Sequence, residues 1–429
     1  MTKSLNAPEA GIGWEGWRSN LPQLLILAAI VGAAAYARAL PSPLIETLRH
    51  ALSLSDTQLA ILQGPAQAWP LLVLSVPIGL IIDRKSRVRF LQCLGLLIIL
   101  GTILTAAAHS FWAIVGARCM VGVGTVAILM TFASLLADLF GPTQRGRAGI
   151  IVAFSQNAGQ AAAFQCAGFL VVHFASSPNA WRLTMLIASV PLAVSCCIAL
   201  RLREPTRKSV VEHPSILSES LREAWRHRRV IAPLLAGTVM VAIADQSVLV
   251  WGAPTLSRVF GLAADRAGSM IASALLLCGI IAPLLGGFLA DTCQRIGGPK
   301  MTISALALVA LLSVPAAAFA IVASSWAAVG LLIVFITLGG IIGVSITPLA
   351  TVVIPNEIRG LSLALIYSAS AIIGLGAAPL LVSIVAEHVG GPTMLGRSLA
   401  LISAGSSLCG ALVFALGRKA AHDAATRPL

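Results

Sequence analysis

The stretch GLIIDRKSR (Gly79–Arg87) occurs twice in this sequence in related form. Its second copy, GFLADTCQR (Gly287–Arg295), lies 208 residues later and keeps the glycine, the aspartate and the final arginine. PTQRG (Pro142–Gly146) likewise recurs as PNEIRG (Pro355–Gly360), with the final glycines 214 residues apart. Each motif ends or joins long apolar segments. Two unrelated motifs that recur at nearly the same distance indicate an internal duplication of the chain.

The composition places these two halves in a membrane. Of the 429 residues, 58% are hydrophobic and only 10% are charged, with a mean hydropathy of +0.92. Soluble proteins carry about 25% charged residues, and a bilayer core is spanned by about 20 apolar residues. We therefore predict an all-α integral membrane protein with twelve transmembrane helices. They cover residues 21–48, 58–82, 90–108, 111–140, 146–174, 183–200, 230–256, 268–290, 301–323, 327–354, 361–388 and 395–416.

The helices and the repeated motifs together predict two six-helix pseudo-repeats. The predicted parts are an N-terminal segment (1–20), an N-terminal bundle (21–200), a linker (201–229), a C-terminal bundle (230–417) and a tail (418–429). Duplicated helix sets are typical of secondary transporters, whose substrate site lies between the repeats near the membrane midplane. In the linker, Leu217, Leu221 and Trp225 recur every four residues, which predicts an amphipathic surface helix. This helix either tethers the two halves or has a regulatory role.

The basic residues are distributed unevenly across the predicted membrane. The net charge of +13 comes from 29 Lys and Arg against 16 Asp and Glu. Two arginines lie inside helices, most of the other basic residues fall on one side, and the exceptions are Arg49, Arg182, Arg258, Arg266 and Arg397. This asymmetry follows the positive-inside rule. It predicts a multi-pass protein of the cell inner membrane with both termini in the cytoplasm, and it argues against a nucleic-acid partner.

Three charged residues fall well inside predicted helices, where a charge costs about 2.5–3.5 kcal/mol on insertion. Arg38 and Arg118 lie about 15 Å and 10 Å from the outer face at a rise of 1.5 Å per residue. They can therefore face one cavity and hold an anionic group, or each can bond helix carbonyls or extend to the interface. Asp245 is either a proton-coupling site, or it forms a static ion pair or a helix-facing hydrogen bond. The predicted substrate-binding residues are Arg38, Arg118, Tyr36, Gln156, Gln160, Trp251 and Tyr367.

The sequence contains no motif for catalysis, metal binding or cofactor binding. It has no phosphate-binding loop, no HExxH and no CxxC, and its histidines lack metal-ligand spacing. The eight cysteines lie in or beside apolar segments, as small buried residues do. We therefore predict that the protein is not an enzyme and has no cofactor and no metal.

Several motifs resemble those of a known family. GLIIDRKSR resembles the signature between helices 2 and 3 of the major facilitator superfamily, and the likeness extends over nearly the whole chain. Five stretches resemble the Spinster-like branch of that superfamily: LSDTQLAILQG (54–64), ARCMVGVG (117–124), ADLFGPTQRGRA (137–148), REPTR (203–207) and WGAPTLSRVFGLAADRAG (251–268). The chain departs from that branch at Tyr36-Ala37-Arg38, which lacks the aspartate of an Asp-Arg pair. It also departs at Gly124-Thr125-Val126, which lacks a glutamate.

The resemblance implies the major facilitator fold and gating by ion pairs on the cytoplasmic side. In the first half it implies a latch formed by Asp83, Arg84 and Arg87 with Asp138, and Arg145 belongs to the same group of gating residues. In the second half it implies a weaker counterpart formed by Asp291, Arg295, Glu357 and Arg359. Ion pairs of this kind, formed in one state and broken in the other, bias a two-state equilibrium.

These observations predict a secondary active transporter that works by alternating access. Its substrate is expected to be a small organic anion or an amphipath with an acidic head, and coupling to protons through Asp245 is left open. Two alternatives are an exporter of lysolipids or amphipathic drugs, and a membrane sensor built on a transporter fold. The expected partners are the small-molecule substrate and the lipid bilayer, and we expect a monomer.

Overall fold

The computed structural model describes residues 14–206 and 217–426, and these residues form an all-helical protein. The first half contributes six crossing helices. They are α1 (Trp14–Ala39), α2 (Asp56–Arg84), α3 (Arg87–Ala107), α4 (Phe111–Leu139), α5 (Pro142–His173) and α6 (Ala180–Ala199). A 3₁₀ turn (Ser42–Leu44) and a short helix (Ile45–Leu52) connect α1 to α2.

The second half repeats this order of helices. It contains α7 (Arg228–Phe260), a helix of 53 residues (Ala264–Ala316), α10 (Ser325–Val353), α11 (Asn356–Ala369, Ser370–Leu375 and Gly376–Val389) and α12 (Leu395–Thr426). Gly298 divides the 53-residue helix, because its φ of +63° and ψ of −158° are not helical. The two parts are α8 (264–297) and α9 (299–316). In α11 the middle segment, Ser370–Leu375, is a π-helical turn.

Length and composition support twelve membrane crossings. Ten stretches of helix among the described residues are long and apolar enough to span a bilayer, and the stretch Ala264–Ala320 contains both α8 and α9. Helix α5 packs along α1 and α8 and supplies the twelfth crossing, although it carries the polar residues Gln156, Asn157 and Gln160. The predicted all-α architecture is confirmed.

The linker and the C-terminal region can be compared with the predicted domain limits. The linker contains a helix at Leu217–Arg226, where the sequence predicted a surface helix. Its Trp225 is exposed and lies beneath the guanidinium of Arg228, 5.3 Å from the ring centroid. Helix α12 continues to Thr426 instead of ending near 417, because the residues that follow are rich in helix-forming Ala, Lys and Arg. Residues 1–13 of the predicted N-terminal segment lie outside the described residues.

The two halves approach each other closely on one side of the molecule. We call the side with the repeated motifs, 79–87 and 287–295, the motif face, and the other side the opposite face. Toward the opposite face, a Cβ atom at Gly268 of α8 would collide with the carbonyl oxygen of Phe164 in α5. Small residues at such crossings let helix backbones approach closely.

Helices α2 and α11 meet at their irregular segments. Helix α2 breaks at Gly64, between Asp56–Gln63 and Pro65–Ala68. A Cβ atom at Gly64 would meet the carbonyl oxygens of Leu375 and Gly376, at the end of the π-helical turn of α11. Glycine at this position therefore allows the two halves to touch.

The glycines of the repeated motifs have a different environment on the motif face. A Cβ atom at Gly79 or at Gly287 would meet no described atom within 4 Å. These glycines therefore make no close helix contact in this conformation, and the tight contacts described above lie toward the opposite face.

Candidate functional site

A cavity of about 230 Å³ lies between the two halves. Helices α1, α4 and α5 line it from the first half, and α7 and α11 line it from the second. The polar residues on its wall are Arg38, Thr125, Gln156, Gln160, Gln246 and Ser370. The other eight lining residues are seven aliphatic residues and one glycine. Within the part of the chain that the structure describes, Arg38 is the one charged residue of this lining.

Arg38 connects the halves at one end of this cavity. Its Nη2 donates to Gln160 Oε1 of α5 at 3.4 Å, and its Nη1 donates to Gln246 Oε1 of α7 at 3.5 Å. Both contacts are long for a charged donor. Beyond Arg38, toward the opposite face, a void of about 20 Å³ is lined by Gln63 and Gln67 of α2, among others. Thus neutral amides flank the guanidinium, and among the described residues no carboxylate lines either space.

Arg118 has a different environment from Arg38. It is fully buried, and its guanidinium donates to the carbonyl oxygens of Ala37 at 3.3 Å and Arg38 at 2.8 Å. It also donates to Gln63 Oε1 at 3.3 Å, whereas its Nε has no hydrogen-bond partner. Arg118 does not line the 230 Å³ cavity. These contacts match the predicted alternative in which Arg118 bonds helix carbonyls. They hold the end of α1 against α2 and α4.

The other predicted binding residues fall into two groups. Gln156 and Gln160 of α5 line the cavity with Arg38, as their shared helical face suggested. The three aromatic residues do not line it. Tyr36 is buried with no partner for its hydroxyl, Trp251 is fully buried and donates to Pro379 O at 2.9 Å, and Tyr367 is 44% exposed with its hydroxyl 2.6 Å from Thr347 Oγ1. The face that each aromatic residue presents depends on helix rotation, which their sequence positions do not specify.

Asp245 lies next to the cavity residue Gln246 on α7 but points elsewhere. Its carboxylate packs against Gly339 of α10, where a Cβ atom would overlap both carboxylate oxygens. Among the described residues it has no hydrogen-bond or ion-pair partner. Asp245 is also absent from the residues that line the 230 Å³ cavity, so it adds no charge to the cavity wall.

A bridge of ion pairs joins the halves on the opposite face. Arg258, near the end of α7, donates through Nη1 and Nη2 to the two carboxylate oxygens of Asp56, at 2.8 Å each, and through Nε to Glu46 at 2.7 Å. The side chain of Asp56 is only 4% exposed. We call these three residues the opposite-face bridge. Bidentate pairing of a planar guanidinium with a carboxylate is the strongest form of this interaction.

Nearby, Thr57 strengthens the same junction between halves. Its hydroxyl donates to Glu387 of α11 at 2.6 Å. Asp56 and Thr57 follow Ser55, which caps α2 in a capping box with Gln58. The LSDTQ stretch was predictable only as a resemblance, and the sequence pattern indicated no role for Arg258. The available signal was an acidic residue in the first turn of α2 and an arginine near the end of α7, both predicted on one side.

On the motif face, Arg87 lies at the centre of a buried cluster. Its Nη1 donates to Asp138 of α4 at 2.5 Å, and its Nε donates to Glu204 of the linker at 3.1 Å. Arg87 and Asp138 were predicted to form part of a latch. The pair they form lies inside the first half, and Glu204 is a partner that the sequence analysis missed. The clue was its place in REPTR, directly after α6.

Glu204 also caps the start of α3. Its Oε2 accepts from the Ser86 hydroxyl at 2.7 Å and from the Val88 N–H at 2.8 Å. Partial burial alone would raise the pKa of this carboxyl. The hydrogen bonds from Val88, Ser86 and Arg87 outweigh burial, so the pKa of Glu204 lies below its usual value. The linker is thereby fixed to the ends of α3 and α4 on the motif face.

The PTQRG and PNEIRG motifs perform the same task in the two halves. Arg145 donates to the carbonyl oxygens of Ala137 and Phe140, eight and five residues before it. Arg359 donates to Thr351 and Ile354 at the same two spacings. Each arginine therefore caps the end of the preceding helix, as helix C-termini favour. This match supports the internal duplication at the level of individual hydrogen bonds.

The remaining predicted gating residues are surface residues of the motif face. Asp83, Arg84, Asp291 and Arg295 are exposed. The side chain of Glu357 lies outside the described residues. Their gating role stays a prediction.

Twelve crossing helices in two related halves, with a polar cavity between them, define a membrane transport protein. The chain belongs to the Major Facilitator Superfamily, whose model matches residues 27–379. This confirms the predicted family, and membership makes the protein a transporter rather than an enzyme.

Curated relatives and solved structures agree with this assignment. The chain is 24% identical to an MFS-type efflux pump of Mycolicibacterium smegmatis, over 96% of both chains. It is 32% identical to myo-inositol transporter 1 of Saccharomyces cerevisiae, over 29% of this chain and 20% of that protein. Its fold is similar to a bacterial homologue of the human lysosomal transporter Spinster in an inward-facing, unoccupied conformation, with a TM-score of 0.74, 19% identity and coverage of 95% of this chain and 97% of that one. A D-xylose-proton symporter gives a TM-score of 0.68 at 16% identity, over 91% of this chain and 97% of that one.

Proposed function

We propose that this protein is a secondary active transporter that moves a small organic anion across the inner membrane by alternating access. The observation that carries the proposal is Arg38. It is the charged group on the wall of the cavity between the halves, and its partners there are two neutral amides at 3.4 and 3.5 Å.

The electrostatic argument follows from the composition of the cavity wall. A cation within the membrane is stabilised best by an anion or by several short hydrogen bonds. The cavity lining offers no carboxylate. A carboxylate or similar group on the substrate can accept two parallel N–H bonds from the guanidinium, which lysine would not provide in the same geometry.

Alternating access is supported by the contrast between the two faces. Arg258 and Asp56 join the halves on the opposite face, whereas Gly79 and Gly287 make no close contact on the motif face. With the motif face in the cytoplasm, as the basic residues predict, this conformation is inward-facing. Breaking the opposite-face bridge and packing the motif glycines would give the other state.

Asp245 is the proposed proton-coupling residue. It directly precedes Gln246 on α7, and Gln246 accepts a hydrogen bond from Arg38. A change in the charge of Asp245 would alter how α7 packs on Gly339 of α10, and Gln246 would move with α7. This provides a route by which protonation can affect the substrate site. The xylose-proton symporter is a structural neighbour of this chain.

The test is uptake by liposomes that contain purified protein, with and without an imposed pH gradient. Arg38→Gln should abolish uptake of organic anions, whereas Arg266→Gln, an exposed arginine at the start of α8, should leave it unchanged. Asp245→Asn should remove the response to the pH gradient while substrate binding persists. Uptake of anions by Arg38→Gln at the rate of the unmodified protein would refute the proposed role of Arg38, and a preserved pH response in Asp245→Asn would refute the coupling role.

A second candidate is export of amphipathic compounds. The full-length similarity to an efflux pump favours it. Cells that express the protein and accumulate less of a fluorescent amphipathic dye than cells with an Arg38→Gln variant would support export. Equal accumulation in both cells, together with anion uptake by liposomes, would leave the anion transporter as the function.

A further inference from the structure

We infer that the substrate is a small monoanion: one carboxylate, or an acidic group of similar size, on a compact apolar body. The inference rests on the proposed function and specifies the class of anion. Three features of the cavity lead to it, namely its charge, its polarity pattern and its shape.

The cavity contains a single positive charge that a substrate can reach. Arg38 lines the wall, but Arg118 lies behind the backbone of α1 and is occupied by two carbonyl oxygens and Gln63. Asp245 faces α10 and adds no charge to the wall. A monoanion bound to Arg38 forms a neutral pair. A dianion would leave one charge without a partner of opposite sign within the membrane, which is unfavourable.

The neutral polar groups suit the second oxygen of a carboxylate. Gln160 and Gln246 contact Arg38 through their Oε1 atoms, so both side-chain amides lie beside the place where an acidic group would bind. Gln156 lies one helical turn from Gln160 and lines the same wall. These amides can donate hydrogen bonds, but they cannot neutralise an additional negative charge.

The shape of the cavity fixes which way the ligand extends. Toward the opposite face, the void beyond Arg38 is about 20 Å³, which is room for one water molecule. Gln67 lines this void and is 1% exposed, so packed side chains close this side of Arg38. The body of the ligand must therefore extend the other way.

Toward the motif face apolar side chains predominate on the wall, although Thr125 of α4 and Gln156 of α5 also line it. Val31 and Ala35 of α1 line it, with Val31 seven residues from Arg38, or about 10 Å along the helix. Val126 and Leu129 of α4 line it from the neighbouring helix. At about 230 Å³, the cavity is smaller than the roughly 300–1,000 Å³ typical of sites for drug-sized ligands, which favours a compact ligand such as benzoate or hexanoate.

Matched probes test the charge rule on the purified full-length protein. Hexanoate, adipate and hexanamide share one body, and benzoate, isophthalate and benzamide share another. We expect at least one monoanion to bind, measured by thermal shift and calorimetry, and to bind more than tenfold tighter than its dianion and its neutral amide. Arg38→Gln should remove this preference, whereas Arg266→Gln should keep it.

A second variant tests the same rule as a gain of function. Gln156→Lys would add a second positive charge to the wall without replacing a partner of Arg38. It should shift the preference toward adipate or isophthalate by more than tenfold. Arg38→Lys keeps the positive charge. If the preference for the monoanion is lost in Arg38→Gln for electrostatic reasons, Arg38→Lys should retain it.

The outcomes separate this inference from the proposed function. If the unmodified protein binds or transports a dianion as well as its monoanion, and does so through Arg38, the monoanion inference is wrong and the anion transporter stands. If no organic anion binds or is transported at millimolar concentration, both are wrong. If a long-chain lysolipid binds tighter than hexanoate, the size argument is wrong.

Discussion

The opposite-face bridge provides the sharpest test of the conformational model. Asp56→Asn preserves the shape of the side chain but removes the charge that accepts two bonds of 2.8 Å from Arg258. Removing one partner of a buried ion pair costs about 3–5 kcal/mol. Since Arg258 keeps Glu46 at 2.7 Å, we expect the lower end, about 3 kcal/mol. In the state that is open on the opposite face this ion pair is broken, so Asp56→Asn should change the free energy of that state little.

A bias of about 3 kcal/mol corresponds to roughly a hundredfold change in the equilibrium constant between the two states, at 1.4 kcal/mol per tenfold. Hydrogen–deuterium exchange measures this without introduced labels, because amides exchange when the helix ends open. In Asp56→Asn, exchange should become faster at residues 45–63 and 252–260. On the motif face, where the halves would close, peptides around Gly79 and Gly287 should exchange more slowly.

The matched control is Asp265→Asn, at the start of α8. Its carboxylate accepts the N–H of the adjacent Arg266 at 2.8 Å. It should leave the exchange pattern unchanged. Exchanging the charges, with Asp56→Arg and Arg258→Asp together, should restore part of the original pattern. If Asp56→Asn and Asp265→Asn give the same exchange on the opposite face, the bridge does not hold the halves together and the reasoning fails.

Three further predictions concern stability. Arg118→Gln removes three buried hydrogen bonds and should lower the free energy of unfolding by roughly 3 kcal/mol, which a lower melting temperature in detergent would show. Arg38→Gln should melt near the temperature of the unmodified protein, and equal melting temperatures for both variants would contradict the structural role of Arg118. Gly339→Ala places a Cβ atom on the Asp245 carboxylate and should destabilise by about 1–3 kcal/mol, whereas Gly343→Ala, with no described atom within 4 Å, should be neutral. Because the pKa of Glu204 is lowered in the folded protein, its contribution to stability is complete above the unfolded pKa and is lost as the pH falls through the folded pKa. Below about pH 4.5, the melting temperature should therefore fall less steeply with pH in Glu204→Gln than in the unmodified protein, and the same pH dependence in both would count against the capping role.

Much of the architecture followed from local features of the sequence. The number of helices follows from the apolar segments long enough to cross a bilayer, and each segment can be recognised within a window of about twenty residues. The duplication was visible in short motifs, and Arg145 and Arg359 cap preceding helices by contacts only five and eight residues away. Interactions within one turn or loop depend on the chain itself, so such contacts are predictable without tertiary information.

The candidate site depended on how distant helices pack. Arg38 and Arg118 have the same chemistry and similar predicted depth, yet only Arg38 lines the cavity. Gln246, which contacts Arg38, is 208 residues away, and Arg258 and Asp56 are separated by 202. Which partner a buried charge meets depends on helix rotation and on the approach of the two halves. Those quantities are determined by packing across the whole molecule, and the local sequence of a single helix does not contain them.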